Sequence, residues 1–182
     1  MPAVLASLAV AALVYAPHNR AHLSRPTQKV EHATSASVRA SALESAILSQ
    51  INRVRLGHGL RALRVSMKLT AAANQHSASM AQKGYFSHDS ANGTVFWRRI
   101  ASYYGYHGYR QWAVGENLLW SSPDVSSAGA VHMWMTSPEH RANLLDRSWR
   151  EIGLSAVHVV SAPGVYHGDE VTIVTADFGV RH

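Results

Sequence analysis

Two β-branched runs near the C-terminus, Leu154 to Val160 and Val171 to Phe178, constrain this chain more than any other feature. Each alternates roughly between apolar and other residues, the period of a strand. The turn residues Pro163-Gly164 and Gly168-Asp169 lie between them. This reads as a long hairpin. Upstream the apolar period is helical. Leu43, Ile47, Ile51 and Val54 recur at helix spacing, and Gly57 and Gly59 stop that helix. Leu60, Leu63 and Val65 make a short extended bridge. Ser66 opens a second helix to about Lys83, with Leu69, Ala72, Ala73, His76 and Met80 on one side and Gly84 at its end. Helices first and strands last, with no β–α–β alternation, define an α+β class with an antiparallel sheet.

Between these regions the chain is more irregular. Tyr85-Phe86-Ser87-His88 runs into a turn over Asp89 to Gly93, and Thr94 to Tyr104 has the pattern of a third helix. A Gly/Tyr-rich loop then leads through Trp112 to Gly115-Glu116-Asn117-Leu118. Ser121-Ser122-Pro123-Asp124 is expected to cap a helix ending at Trp134. Ser137-Pro138 restarts the chain as an N-cap followed by proline at the first helical position. Glu139 and His140 fall in that first turn, where the helix dipole favours an anion and a neutral imidazole.

Composition sets the outer limits. The 182 residues, 47% of them apolar, suffice for one domain with a modest core. The leading run Ala3 to Ala16 has the length of a signal-peptide core and is short for a membrane span. Residues 1–16 are therefore expected to be a signal sequence, 17–40 a flexible linker, and 41–182 the folded domain. The absence of cysteine excludes disulfides and thiolate metal sites. The formal charge of +6 comes from scattered basic residues, with Arg98-Arg99 the longest run. That favours weak attraction to anionic surfaces over a dedicated nucleic-acid groove.

Five blocks occur in order: Gln75 to Ala81 leading into Tyr85-Phe86-Ser87-His88; Gly115-Glu116-Asn117-Leu118; Trp134 to Leu145; Glu151-Ile152-Gly153-Leu154; and Ala176-Asp177-Phe178-Gly179. Together they resemble the CAP superfamily (cysteine-rich secretory proteins, antigen five, pathogenesis-related proteins; the SCP domain), in its cysteine-free bacterial branch. The resemblance implies an α–β–α sandwich with an antiparallel sheet between helical layers, and a secreted protein. It also implies a cleft gathering two histidines and two glutamates, in some members with a divalent metal on the histidines. Carried onto this chain, His88 and His140 match the histidines and Glu116 the first glutamate. The second glutamate's position holds Ser137, which leaves nearby Glu139 as its substitute.

The residues alone allow similar chemistry. Two imidazoles and one or two carboxylates from separate loops can hold Zn²⁺ with positions left for water. The competing reading is a hydrogen-bonded polar cluster that pins the loops to the sheet. The functional expectation is a secreted binding module whose cleft takes a lipid, a cell-envelope fragment or a peptide, with an optional divalent metal through His88 and His140. The alternative is a metal-dependent hydrolase of peptide or cell-envelope substrates, with Glu116 and Glu139 as its catalytic carboxylates. His76, mid-helix on the apolar side, reads as a core histidine. The five tryptophans read as core or cleft wall.

Overall fold

The structure, a computed structural model, describes residues 6–10 and 35–182, with side chains from residue 42 onward. Residues 11–34, which hold most of the expected linker and the end of the expected leader, lie outside the described residues. In chain order the elements are β1 (Ala6–Val10), α1 (Ser35–Gly57), β2 (Arg64–Val65), α2 (Met67–Lys83), α3 (Phe96–Tyr103), β3 (Trp112–Ser121), α4 (Ser127–Thr136), α5 (Pro138–Leu144), β4 (Glu151–Val159) and β5 (Val171–Arg181). Helix α1 begins before the expected domain start at Ser41. Its first turns have no apolar period to reveal them.

The sheet order is β1-β3-β5-β4-β2. The expected hairpin is β4–β5, antiparallel with Leu154 opposite Ala176. β3 lies antiparallel on the other side of β5, and β1 pairs antiparallel with the outer edge of β3. The sheet is antiparallel, as the sequence suggested, apart from the two-residue β2, which runs parallel to β4. β2 docks there as the lead-in to α2, with the Ser66 N–H bonded to the Ile152 carbonyl at 2.9 Å.

Alternation along the strands assigns their two faces. On one face Ala113, Leu119, Val174, Ala176 and Phe178 pack with Ile47 and Ile51 of α1, Trp134 of α4 and Leu144 of α5. On the other, Leu118, Trp120 and Ile173 pack with Met80 of α2, while Val114 packs with Leu69, Phe96 and Ile100. Helical layers on both faces make the α–β–α sandwich. Each fully buried aliphatic side chain here contributes about 1.5–3 kcal/mol. Four of the five tryptophans, Trp112, Trp120, Trp134 and Trp149, are buried in the core, and Trp97 is half-buried. The indole N–H groups of Trp112 and Trp134 meet the carbonyls of Tyr104 and Leu118.

One close approach fixes α2 over the sheet. A Cβ at Gly153 would stand 2.1 Å from backbone atoms of Leu69 and Thr70, so β4 needs glycine where the helix crosses it. Gly84 ends α2 in the left-handed conformation (φ 67°), as the sequence suggested. The expected cap of α4 shifts downstream to Ser126, whose side chain accepts the Gly129 N–H at 3.0 Å.

Candidate functional site

β3 and β5 bring two carboxyls side by side. Glu116 pairs in register with Asp177, which pairs in turn with Gly153. Both acids lie on the α2/α3 face, and both are fully buried. Three basic side chains converge on them. From α3, Arg99 donates through Nη2 to Glu116 Oε2 and through Nη1 to the His88 carbonyl at 3.0 Å. The loop after α2 places His88 Nδ1 2.7 Å from Glu116 Oε1, so the carboxylate accepts from an Nδ1–H. His76 of α2 donates through Nε2 to the Ser87 carbonyl at 2.9 Å and stands 4.0 Å from Glu116 Oε1.

The charges in this cluster sort themselves by contact. Burial raises the Glu116 carboxyl above the usual range, but the Arg99 guanidinium bonded to it opposes that rise. Asp177 goes up further, pushed first by burial and then by the neighbouring Glu116 charge. Neither Asp177 oxygen meets hydrogen-bond geometry among the described residues. Glu116, bonded to Arg99, is therefore the more readily ionised of the two, and Asp177 beside it the more readily protonated. Burial, followed by the Arg99 charge, lowers His76 to about 3, so its imidazole stays neutral.

The next residue along β3 serves the other layer. Asn117 donates to the His140 carbonyl at 3.1 Å and accepts from Asn143 Nδ2 at 2.9 Å. The Trp149 indole closes this group on Asn143. His140 is buried, with Nδ1 bonded to Ser137 Oγ at 2.7 Å. That bond corrects the expected role of Ser137. It stands at the N-cap position of α5, but its hydroxyl caps no backbone N–H and goes to His140 instead. The Gly-Glu-Asn block thus anchors two layers from adjacent residues, Glu116 holding α3 and the His88 loop, Asn117 holding α5.

Of the residues chosen from sequence, His88 and Glu116 meet. His140 is tied to β3 through Asn117. Glu139 is exposed in the first turn of α5, whereas Glu116 is buried. Dipole preference brought Glu139 to notice, and that preference is met by solvent exposure alone. Among the described residues, no group of three or more His, Cys, Asp or Glu side chains is placed to hold a metal ion.

Sequence reasoning missed Arg99 and Asp177, and saw His76 only as core. Both omissions left a trace. Arg99 stands three residues after Phe96 and one before Ile100, on the apolar stripe of its helix, where a charge needs a partner. Asp177 interrupts a β-branched run whose residues are buried throughout.

Outside the cluster, a pocket of about 350 Å³ lies between α2, the turn 90–94 and α3. Arg99 lines it together with Lys83, Arg98, Ser79, Thr94 and Ser102. Arg99 thus belongs both to the buried cluster and to this pocket.

The layered fold with this strand-borne polar centre defines a class, the SCP-type α–β–α sandwich. Residues 48–177 match the family described as CAP, cysteine-rich secretory protein family, and the chain belongs to it. Two Bacillus subtilis proteins are similar. One, described as uncharacterized protein YkwD, is 28% identical over 130 residues, 71% of this chain and 48% of its own length. The other, described as uncharacterized membrane protein YlbC, is 31% identical over 111 residues, 61% of this chain and 30% of its own. The chain thus spans less than half the length of these relatives. An extracellular protein of Bacillus anthracis containing an SCP domain superposes with a TM-score of 0.58 at 25% identity, over 82% of this chain and 44% of that one. An outer surface protein of Borrelia burgdorferi gives 0.58 at 20% identity, over 76% of this chain and 92% of that one, a likeness of fold. Among the described residues no helix is long and apolar enough to cross a membrane.

Proposed function

We propose that this CAP-domain protein is an extracytoplasmic binding module that takes a polar cell-envelope fragment. The observation that carries the reading is the state of Glu116, fully buried and ion-paired with Arg99. A general base must reach the proton it removes and hold a free electron pair for it. Glu116 has no exposure, and its two oxygens serve Arg99 and His88. Such a carboxylate organises a fold better than it turns over a substrate.

The ligand class follows from the pocket. Its lining combines hydroxyl, amide and cationic side chains with the Tyr103 ring and Ala91, a mixture of polar groups and an aromatic surface that suits a glycan-like or peptide fragment. The rival reading, a metal-dependent hydrolase, draws support from the raised Glu116 carboxyl, the trait expected of a catalytic acid or base. Against it, no group of three or more His, Cys, Asp or Glu is placed to hold a metal among the described residues, and burial raises Asp177, the carboxyl beside Glu116. Export is part of the proposal, supported by the extracellular and outer-surface descriptions of the structural relatives.

Cosedimentation with purified cell-wall sacculi tests this reading. The protein should pellet with the sacculi and release no soluble fragments. A protein left wholly in the supernatant, or one that solubilises the wall, would overturn it.

A further inference from the structure

We propose that the pocket between α2, the turn 90–94 and α3 binds a phosphate monoester carried on a polyol or sugar; this rests on the reading of the protein as a binding module. Three cationic side chains line the pocket, Lys83, Arg98 and Arg99, and no carboxylate does. The charge of Arg99 is already matched by Glu116. Lys83 and Arg98 are exposed, and among the described residues neither takes part in an ion pair within 4.0 Å. The nearby acid Asp89 stays outside the lining, its carboxylate accepting the Phe96 N–H at 3.3 Å. Two positive charges without a carboxylate partner therefore line the cavity, the Arg98 guanidinium lying 5.2 Å from the centre of the Trp97 ring. A phosphate monoester carries about −1.5 to −2 at neutral pH, which balances them.

The remaining lining suits the organic part of the ligand. Thr94 and Gln75 present a hydroxyl and an amide to ligand hydroxyls, while Ser79 Oγ accepts from the Tyr85 hydroxyl at 3.1 Å and keeps its own proton to donate, and Ser102 Oγ donates to the Arg99 carbonyl at 2.6 Å and keeps its lone pairs to accept. A cavity of about 350 Å³ lies at the small end of ligand sites, the scale of a glycerol or hexose phosphate. The walls are braced. Ser90 N–H bonds to Thr94 O at 2.9 Å, Thr94 N–H to Asn92 Oδ1 at 3.1 Å, and Arg99 is fixed from behind by Glu116 and the His88 carbonyl. A pre-formed pocket loses less entropy on binding than a mobile one.

Titration calorimetry at low ionic strength, with sn-glycerol 3-phosphate, inorganic phosphate and glycerol as separate probes, tests the proposal. Glycerol 3-phosphate should bind at least tenfold more tightly than either of the others. Lys83→Met/Arg98→Gln should weaken that binding by tenfold or more. Arg61→Gln/Arg147→Gln, which removes the same charge from exposed residues outside the pocket lining, should leave it unchanged. Melting temperatures of both variants check that each is folded, and exposure of all four side chains predicts that they are. Absence of heat with glycerol 3-phosphate, equal losses in the two variants, or equal affinity for inorganic phosphate would each overturn the proposal. Wall hydrolysis would instead overturn the binding-module reading and leave the titration result standing.

Discussion

Acidification should unload one specific store of stability, the neutral imidazole of His76. That side chain is fully buried, 4.0 Å from Glu116 Oε1, and burial with the Arg99 charge lowers its pKa to about 3. In the unfolded chain the group titrates near its ordinary value of about 6.5. Between these values the unfolded state binds the extra proton, so stability falls as pH falls through the window. At pH 7 the contribution is nearly complete. At pH 5 about 1.5 pKa units have been traversed, a loss of about 2 kcal/mol. Asp177 works the other way, because its raised carboxyl binds a proton in the folded state and its contribution declines as pH rises. The two effects are separated by comparing wild type with His76→Gln, whose amide can still reach the Ser87 carbonyl. Asp177 is present in both proteins and cancels to first order. Urea unfolding at pH 7 and pH 5 should therefore show wild type losing about 2 kcal/mol more than the variant. Parallel losses in the two proteins would refute the reasoning and mean that His76 keeps an ordinary affinity for protons.

Three further outcomes follow from the same geometry. Glu116→Gln strands the Arg99 guanidinium and Arg99→Met strands the Glu116 carboxylate, so each should cost about 3–5 kcal/mol in chemical unfolding. The double variant should cost much less than their sum, and additive losses would contradict the ion pair. Ser137→Ala and Ser137→Gly should destabilise by similar amounts, about 0.5–1.5 kcal/mol, because both lose the bond to His140. A cost in alanine with almost none in glycine, measured by thermal unfolding, would restore Ser137 as a helix cap. Gly153→Ala should destabilise by about 3 kcal/mol or more, since its methyl group would meet the α2 backbone at 2.1 Å. A variant that melts with wild type would show that α2 does not lie that close to β4.

What was legible in the sequence followed the clarity of its periods. α2 and α3 carry apolar stripes, β4 and β5 carry β-branched runs, and these elements were readable to within a few residues. β3 was not, although it is the central scaffold of the site. All ten of its residues are buried, so no polar face marks an alternation, and Gly115, Glu116 and Asn117 have poor strand propensity. The same strand explains the uneven success with the site. Glu116 and His88 were visible through the ordered motif blocks. Arg99 and Asp177 were hidden because each is an ionisable residue inside an apolar pattern, where its neighbours in the cluster come from other elements. Ser137 shows the converse error: its place before Pro138 marks an N-cap position, as the sequence suggests, yet tertiary contact redirects its hydroxyl to His140.

The role proposed for Glu116 is to hold the fold together and not to act on a substrate. Its most direct test is a turnover measurement on wild type and Glu116→Gln, each checked for folding, against peptide, ester and peptidoglycan substrates with Zn²⁺ supplied. The account predicts no turnover by either protein, with the variant distinguished only by lower stability. Hydrolysis by wild type that is lost in folded Glu116→Gln would contradict it and make the buried carboxylate a catalytic base.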